Sequence, residues 1–164
     1  MKKIGLLSDT HSYIDDALFE HFKDVDEIWH AGDVGVPEVL DKLKAFKPVR
    51  GVWGNIDGQV IRAELPYINR FKCEEVNVMM IHIGGYPGKY NPKVKPELLK
   101  ESIDLFICGH SHILKVMPDK QYGFLHMNPG AYGKEGFHQV RTLLRFSISD
   151  KRIHDLEVIE LKRW

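Results

Sequence analysis

Cysteine is scarce in this chain: Cys73 and Cys108 are the only two among 164 residues. Neither the number nor the separation suits a disulfide framework or a paired metal-ligand motif. Both read as buried free thiols of a reducing compartment, so the expected location is cytoplasmic. No apolar run approaches the about 20 residues needed to cross a bilayer, so no membrane partner is expected. Ile4 to Leu7 is too short for a leader and is broken by Ser8-Asp9. Neither sign of charge dominates, with 23 basic against 23 acidic residues, so no strong nucleic-acid signal is present. Repeats, low-complexity tracts and linkers are also lacking, which predicts one domain over residues 1–164. The 43% apolar content is enough for a core without disulfides.

Histidine, by contrast, is plentiful at nine residues, and several fall in a pattern. Lys3 to Ser8 is an apolar run that reads as a buried strand. Asp15 to Lys23 reads as a helix with Leu18, Phe19 and Phe22 on one face. Glu27 to His30 is a short strand, and Pro37 to Phe46 an amphipathic helix with Pro37 at its start. Val49 to Trp53 follows as a third strand. This alternation predicts a mainly parallel sheet with right-handed crossovers. Ligands of such sheets bind beyond the carboxyl ends of the strands. Further on, Tyr67 to Cys73 and Val76 to Ile83 form an expected antiparallel pair. Gly84 to Gly88 reads as a loop, Pro96 as the start of a helix, and Asp104 to Cys108 as a strand. The rest is mostly strand, closing on a hairpin through Ser149-Asp150-Lys151. Two sheets flanked by helices accommodate this order better than one open sheet.

Polar clusters follow these strands in order: Asp9-Thr10-His11, Gly32-Asp33, Gly54-Asn55-Ile56-Asp57, His82, and Gly109-His110-Ser111-His112. Singly, most have bland readings. Asp-x-His can cap a helix, Gly-Asp is a common turn, Asn55 suits a left-handed turn and His82 a core position. Together they offer imidazole, carboxylate and amide donors, a mixture suited to two adjacent divalent ions. Asp9 and His11, one residue apart on an extended loop, would chelate one ion. A carboxylate such as Asp33 can bridge two cations. The Asn55 amide can ligate through oxygen while its NH₂ donates to a phosphate oxygen.

In this order the motifs resemble those of the calcineurin-like metallophosphoesterases: Asp-x-His, Gly-Asp, Gly-Asn-His-Asp/Glu, a strand-ending His and Gly-His-x-His. Asn128-Pro129-Gly130 also matches a turn of the family's small bacterial and archaeal phosphodiesterase branch. The resemblance implies an α/β fold, a four-layer αββα sandwich of two mixed β-sheets flanked by helices. It implies that Asp9, His11 and His112 hold one metal, that Asn55, His82 and His110 hold a second, and that Asp33 bridges them. Asn55 and Asp57 take the catalytic roles, Asn55 at the phosphoryl group and Asp57 orienting a neighbour. The cofactors would be two divalent metal ions, with Mn favoured and Fe, Zn, Ni or Mg also compatible. The reaction would be in-line attack of a metal-bridging hydroxide on a phosphoester, with a small phosphodiester or nucleotide-like ester as substrate. The family's histidine in the third motif is Ile56 here, which can neither protonate a leaving group nor contact the transition state; His126 and His138 are the spare imidazoles that could replace it. Gly84 to Lys95, with Tyr86, Lys89, Tyr90 and Lys93, could wall the pocket, whereas Arg62 and Arg70 read as solvated surface. The alternative is a protein-interaction scaffold with vestigial metal binding. A homo-oligomer through the apolar C-terminal strands stays open.

Overall fold

The structure is a computed structural model that describes residues 1–164. In chain order its elements are β1 (Lys2–Leu7), α1 (Asp16–His21), β2 (Glu27–His30), α2 (Pro37–Phe46), β3 (Val49–Gly51), α3 (Gln59–Glu64), β4 (Ile68–Cys73) and β5 (Val76–Ile81). They continue with β6 (Gly85–Tyr86), β7 (Lys89–Tyr90), α4 (Lys95–Leu98), β8 (Leu105–Ile107), β9 (Leu114–Asp119), β10 (Phe124–Pro129), β11 (Val140–Ser149) and β12 (Arg152–Lys162).

Two five-stranded mixed sheets result. One has the order β12-β11-β1-β2-β3, the other β4-β5-β8-β10-β9. In the first, β1, β2 and β3 run parallel. In the second, β5, β8 and β10 run parallel. The flanking strands pair antiparallel.

The apolar pattern explains the stacking. In β5, Val78 and Met80 face the layer between the sheets, while Met79 and Ile81 face outward. Both faces are covered, so the strand reads as a continuous apolar run, as parallel strands do. The inter-sheet layer also holds Ile4, Leu6, Trp29, Ile107 and Phe146. Trp29 is fully buried, and its indole N–H donates to Glu27 Oε1 at 3.1 Å, so its polar edge is satisfied. Outside the first sheet, Leu18, Phe22, Leu40, Leu43 and Ile61 from α1, its C-cap, α2 and α3 cover Leu7 and Ile28.

The expected four layers are present, but the outermost layer on the second sheet is thin. It consists of α4, four residues long, with the β6–β7 hairpin and its Tyr90. Gly84 to Gly88 is therefore not wholly loop: Gly85 and Tyr86 pair with Tyr90 and Lys89. The six-residue α3 was unmarked in the sequence, because it carries a single buried apolar residue, Ile61. Asn128 and Pro129 finish β10 instead of forming a turn, and only Gly130 beyond them takes a positive φ. No helix is long and apolar enough to cross a membrane.

Candidate metal centre

The loops after the six parallel strands meet at one edge of the sandwich. Asp9 and His11 follow β1. The loop carrying them is not extended as expected: Asp9, His11 and Ser12 all have positive φ, at 53°, 44° and 70°. Such conformations cost non-glycine residues free energy and cluster at functional sites. Neighbouring backbone holds the loop, with Asp9 N–H donating to Gly32 O and His11 N–H to Asp33 O at 2.9 and 3.1 Å. Asp9 Oδ2 accepts from Ser8 Oγ at 2.6 Å and from the His110 amide at 3.1 Å. Its Oδ1 is buried and has no hydrogen-bond partner. That atom faces His112 Nε2 at 3.2 Å, and His11 and His82 Nε2 at 3.7 Å each.

Asp33 follows β2, also at positive φ. Its Oδ1 accepts the Ile56 amide at 3.0 Å. Its Oδ2 lies between two imidazoles, 3.3 Å from His11 Nε2 and 3.2 Å from His82 Nε2. A Cβ on Gly54 would collide with Asp33 Oδ1, so glycine is required where the loop after β3 passes the carboxylate. Asn55 is exposed, is not among the residues with positive φ, and places Oδ1 3.1 Å from His110 Nδ1. Asp57 is buried and accepts the amides of Val34, Gly35 and Gly54 at 3.2, 2.9 and 2.8 Å. It ties the Asn55 loop to the Asp33 loop and acts as a positioning residue.

The second sheet supplies His82 after β5 and His110 and His112 after β8. His82 Nδ1–H donates to Ala31 O at 2.7 Å, which leaves Nε2 for the centre. His110 and His112 both have positive φ, at 72° and 63°. Gly109 is needed at the start of this turn because a Cβ there would collide with Ser8 Oγ. Asp9, His11 and His112 bring donor atoms within 4.8 Å of one another, and so do Asp33, His82 and His110.

The donor set fits metal ions. Asp9 Oδ1, His11 Nε2 and His82 Nε2 are all buried and unpartnered while aimed at one another, and buried polar atoms are rarely left so. Burial pushes the Asp9 carboxyl up, but the neighbouring His11 and His112 imidazoles outweigh it and hold the group well below the usual carboxylate range. Asp33 behaves alike, with burial outweighed by His11 and His82. Asp33, then Asp9, pushes the His11 imidazole up to about 10. The site is thus an anionic cradle for positive charge.

Several contributors escaped the sequence reading. His30, fully buried in β2, accepts the Gly32 amide at Nδ1, so its Nε2–H donates to Thr10 Oγ1 at 3.0 Å. Thr10 in turn donates to Val34 O at 2.8 Å. Burial pushes this imidazole down to about 4, so it stays neutral and joins the first two ligand loops. Arg62, expected to be solvated surface, stacks over Trp53 and donates to Asp57 O at 2.7 Å. Glu135 Oε2 lies 3.3 Å from His11 Nδ1. His30 and Glu135 carry no sequence signal, because each acts through a partner distant in the chain. Of the spare imidazoles, His138 packs against His112 at 5.3 Å between ring centroids. His126 does not reach the centre; it is fully buried against Phe106.

Residues 1–151 match the family model of the calcineurin-like phosphoesterase superfamily domain. A probable metallophosphoesterase of Methanothermobacter thermautotrophicus is 37% identical over 114 residues, 66% of each chain. A probable metallophosphoesterase of Methanocaldococcus jannaschii is 31% identical over 155 residues, 90% of this chain and 77% of its own. Among solved structures, wild-type Vps29 of Entamoeba histolytica complexed with Zn²⁺ superposes with a TM-score of 0.74 at 16% identity, over 98% of this chain and 99% of its own. That last likeness is one of fold.

Proposed function

The chain belongs to the calcineurin-like phosphoesterase superfamily, and from that premise we propose that it is a binuclear metal-dependent phosphodiesterase that cleaves P–O bonds by in-line attack of water. The observation that carries this reading is Asp33 Oδ2, set between His11 Nε2 and His82 Nε2 beside the unpartnered Asp9 Oδ1. One carboxylate oxygen flanked by imidazoles from the two sheets is what a bridge between two cations requires. Asp9, His11 and His112 would hold one ion, and Asn55, His82 and His110 the other. The mixed N/O donors suit Mn²⁺, with Fe, Zn, Ni and Mg compatible. Two such ions, when bound, supply positive charge to the phosphoryl oxygens and bring the pKa of water toward neutrality.

The protein's own residues then have defined tasks. The Asn55 amide orients a phosphoryl oxygen through its NH₂ group. Asp57 holds the Asn55 loop, and His30 the Asp9 and Asp33 loops, so the donors are set before substrate arrives. Ile56, where the family has a histidine, cannot protonate the leaving oxygen; it is partly exposed and contributes its backbone amide to Asp33. Esters with weakly basic leaving groups are the favoured substrates, since general acid catalysis typically adds about 10²–10⁴-fold for the others.

Hydrolysis of bis-p-nitrophenyl phosphate by metal-stripped protein titrated with Mn²⁺ tests the reading. Wild type is expected to turn over only with metal. Asp33→Asn, which keeps the acceptor for the Ile56 amide, and His110→Ala are expected to lose most of that activity. Metal-independent turnover, or none from folded wild type under any of the five metals, would reject it; the latter result would favour the scaffold alternative.

A further inference from the structure

Beside the two clusters lies a cleft of about 520 Å³ whose walls include His110, His112, Ile113, Phe137 and His138. Two of its walls are the candidate ligands themselves. The remaining apolar wall is unusual. Phe137 is 100% exposed, more than any other large apolar side chain of the chain, and Ile113 is 56% exposed. Phe137 does not owe its exposure to a loose loop. Arg163 reaches back to residues 134–138 and donates to Lys134 O at 2.9 Å, His138 O at 2.7 Å and Gly136 O at 2.5 Å. His138 Nε2–H donates to Gly133 O at 2.8 Å, and the Gly133 amide donates to Asp9 O at 3.0 Å. The loop is therefore tied at both ends, to the Asp9 loop and to the C-terminal strand. Arg163 lies beyond the residues 1–151 that match the family model.

Holding an aromatic ring and an isoleucine in water beside a charged centre forgoes apolar burial unless something covers them. We propose that this cleft is a substrate subsite for a planar apolar substituent, an aryl or nucleobase-like group borne by the phosphoester. The inference rests on the phosphoesterase reading for its anchor. A phosphoryl group at the His110–His112 side of the centre carries its substituent directly into the cleft, where Phe137 and Ile113 cover the faces and edges of a flat ring. A short alkyl substituent fills the same space poorly.

The test uses Mn²⁺-loaded protein and two ligands that cannot be hydrolysed, phenylphosphonate and methylphosphonate, titrated by calorimetry. Wild type is expected to bind phenylphosphonate tighter by about tenfold or more, the discrimination a modest apolar contact supplies. Phe137→Ala combined with Ile113→Ala is expected to erase the preference while leaving methylphosphonate affinity unchanged; both side chains are exposed, so the fold is retained. Phe137→Trp is expected to keep or enlarge the preference. Equal affinities in wild type, undetectable phenylphosphonate binding, or a preference that survives the double substitution would overturn the subsite. A phenyl preference in a protein that hydrolyses no phosphoester would instead leave the subsite standing and reject the phosphodiesterase reading.

Discussion

Asn128 shows how much of the centre rests on one residue. Its side chain is buried and fully engaged: Nδ2 donates to Gly109 O at 3.0 Å and to Ser111 Oγ at 3.1 Å, and Oδ1 accepts the Gly130 amide at 3.0 Å. The turn it grips holds His110 and His112 at positive φ, a conformation that needs outside support. Asn128→Asp keeps the acceptor and loses both donors. It is expected to weaken Mn²⁺ binding at least about 10-fold, the usual effect of losing an outer partner of a metal site. Calorimetric titration with Mn²⁺ checks this, and unchanged affinity would mean that the turn holds itself. The imidazoles carry a second expectation. Asp33 and Asp9 push the His11 imidazole up in the metal-free protein, which favours a proton that must leave before the ring ligates. Metal binding is therefore expected to release protons at pH 7, and affinity to rise with pH. Titrations in buffers of different ionisation enthalpy would reveal the release, and identical heats in all buffers would contradict it.

At the level of elements, every candidate ligand follows a strand that is parallel to its neighbour within the sheet: β1, β2 and β3 in one sheet, β5 and β8 in the other. Asn128, which braces them, lies in the sixth, β10. The strands β4, β9 and β11 run the other way and supply none; β12 runs with β1, and the residue after it, Arg163, braces the loop 133–138 beside the centre. Strand direction thus sorts the functional loops from the connecting ones. Residues 133–138 are the exception: they belong to no strand and are kept in place by Arg163. Arg163→Ala removes three hydrogen bonds from a charged donor. Amide exchange is expected to speed up across 133–138 and to stay unchanged in β10 and β11. Exchange rising equally throughout the sheet would show that the arginine stabilises the whole fold, not the loop.

Over the whole molecule, the candidate centre joins the two sheets, since Asp9, His11, Asp33 and Asn55 come from one and His82, His110 and His112 from the other. Ions bound there would act as staples. At a free concentration 100 times its Kd, each ion is expected to add about 2.7 kcal/mol to stability, so EDTA should lower Tm by several degrees. A Tm indifferent to EDTA would mean that no ion joins the sheets. Outside the centre, His126 sits among Phe106, Tyr90 and Tyr86, with neither ring nitrogen hydrogen-bonded. Burial pushes it down to about 4, against about 6.5 in an unfolded chain. The folded state therefore refuses a proton that the unfolded state takes up. The stability this costs is lost as pH falls from about 6.5 to 4, by up to about 1.4 kcal/mol per unit, and is fully present above 6.5. His126→Phe removes two unsatisfied nitrogens and is expected to stabilise the protein by about 1 kcal/mol at pH 7, with a margin that widens toward pH 5. Parallel pH profiles for the two proteins would refute that account.

The sequence by itself marked most of the strands, the two-sheet sandwich and the polar clusters that follow the strands. Period and composition mark buried strands locally, and a polar residue just after such a strand has few places to go. Glu27–His30 and Pro37–Phe46 were legible to the residue because their apolar patterns end at clear breaks. Only the tertiary structure decided the left-handed turns at Asp9, His11 and His110, the brace from Asn128, and the His30 link between loops. It also decided the shift of Arg62 from surface cation to support and the clamp of Arg163 over Phe137. Those features depend on backbone and side-chain contacts between segments as many as 101 residues apart, as in the His110 amide on Asp9. Strain is tolerated there only because several neighbours oppose it together, and no local pattern of residue types encodes which neighbours will meet.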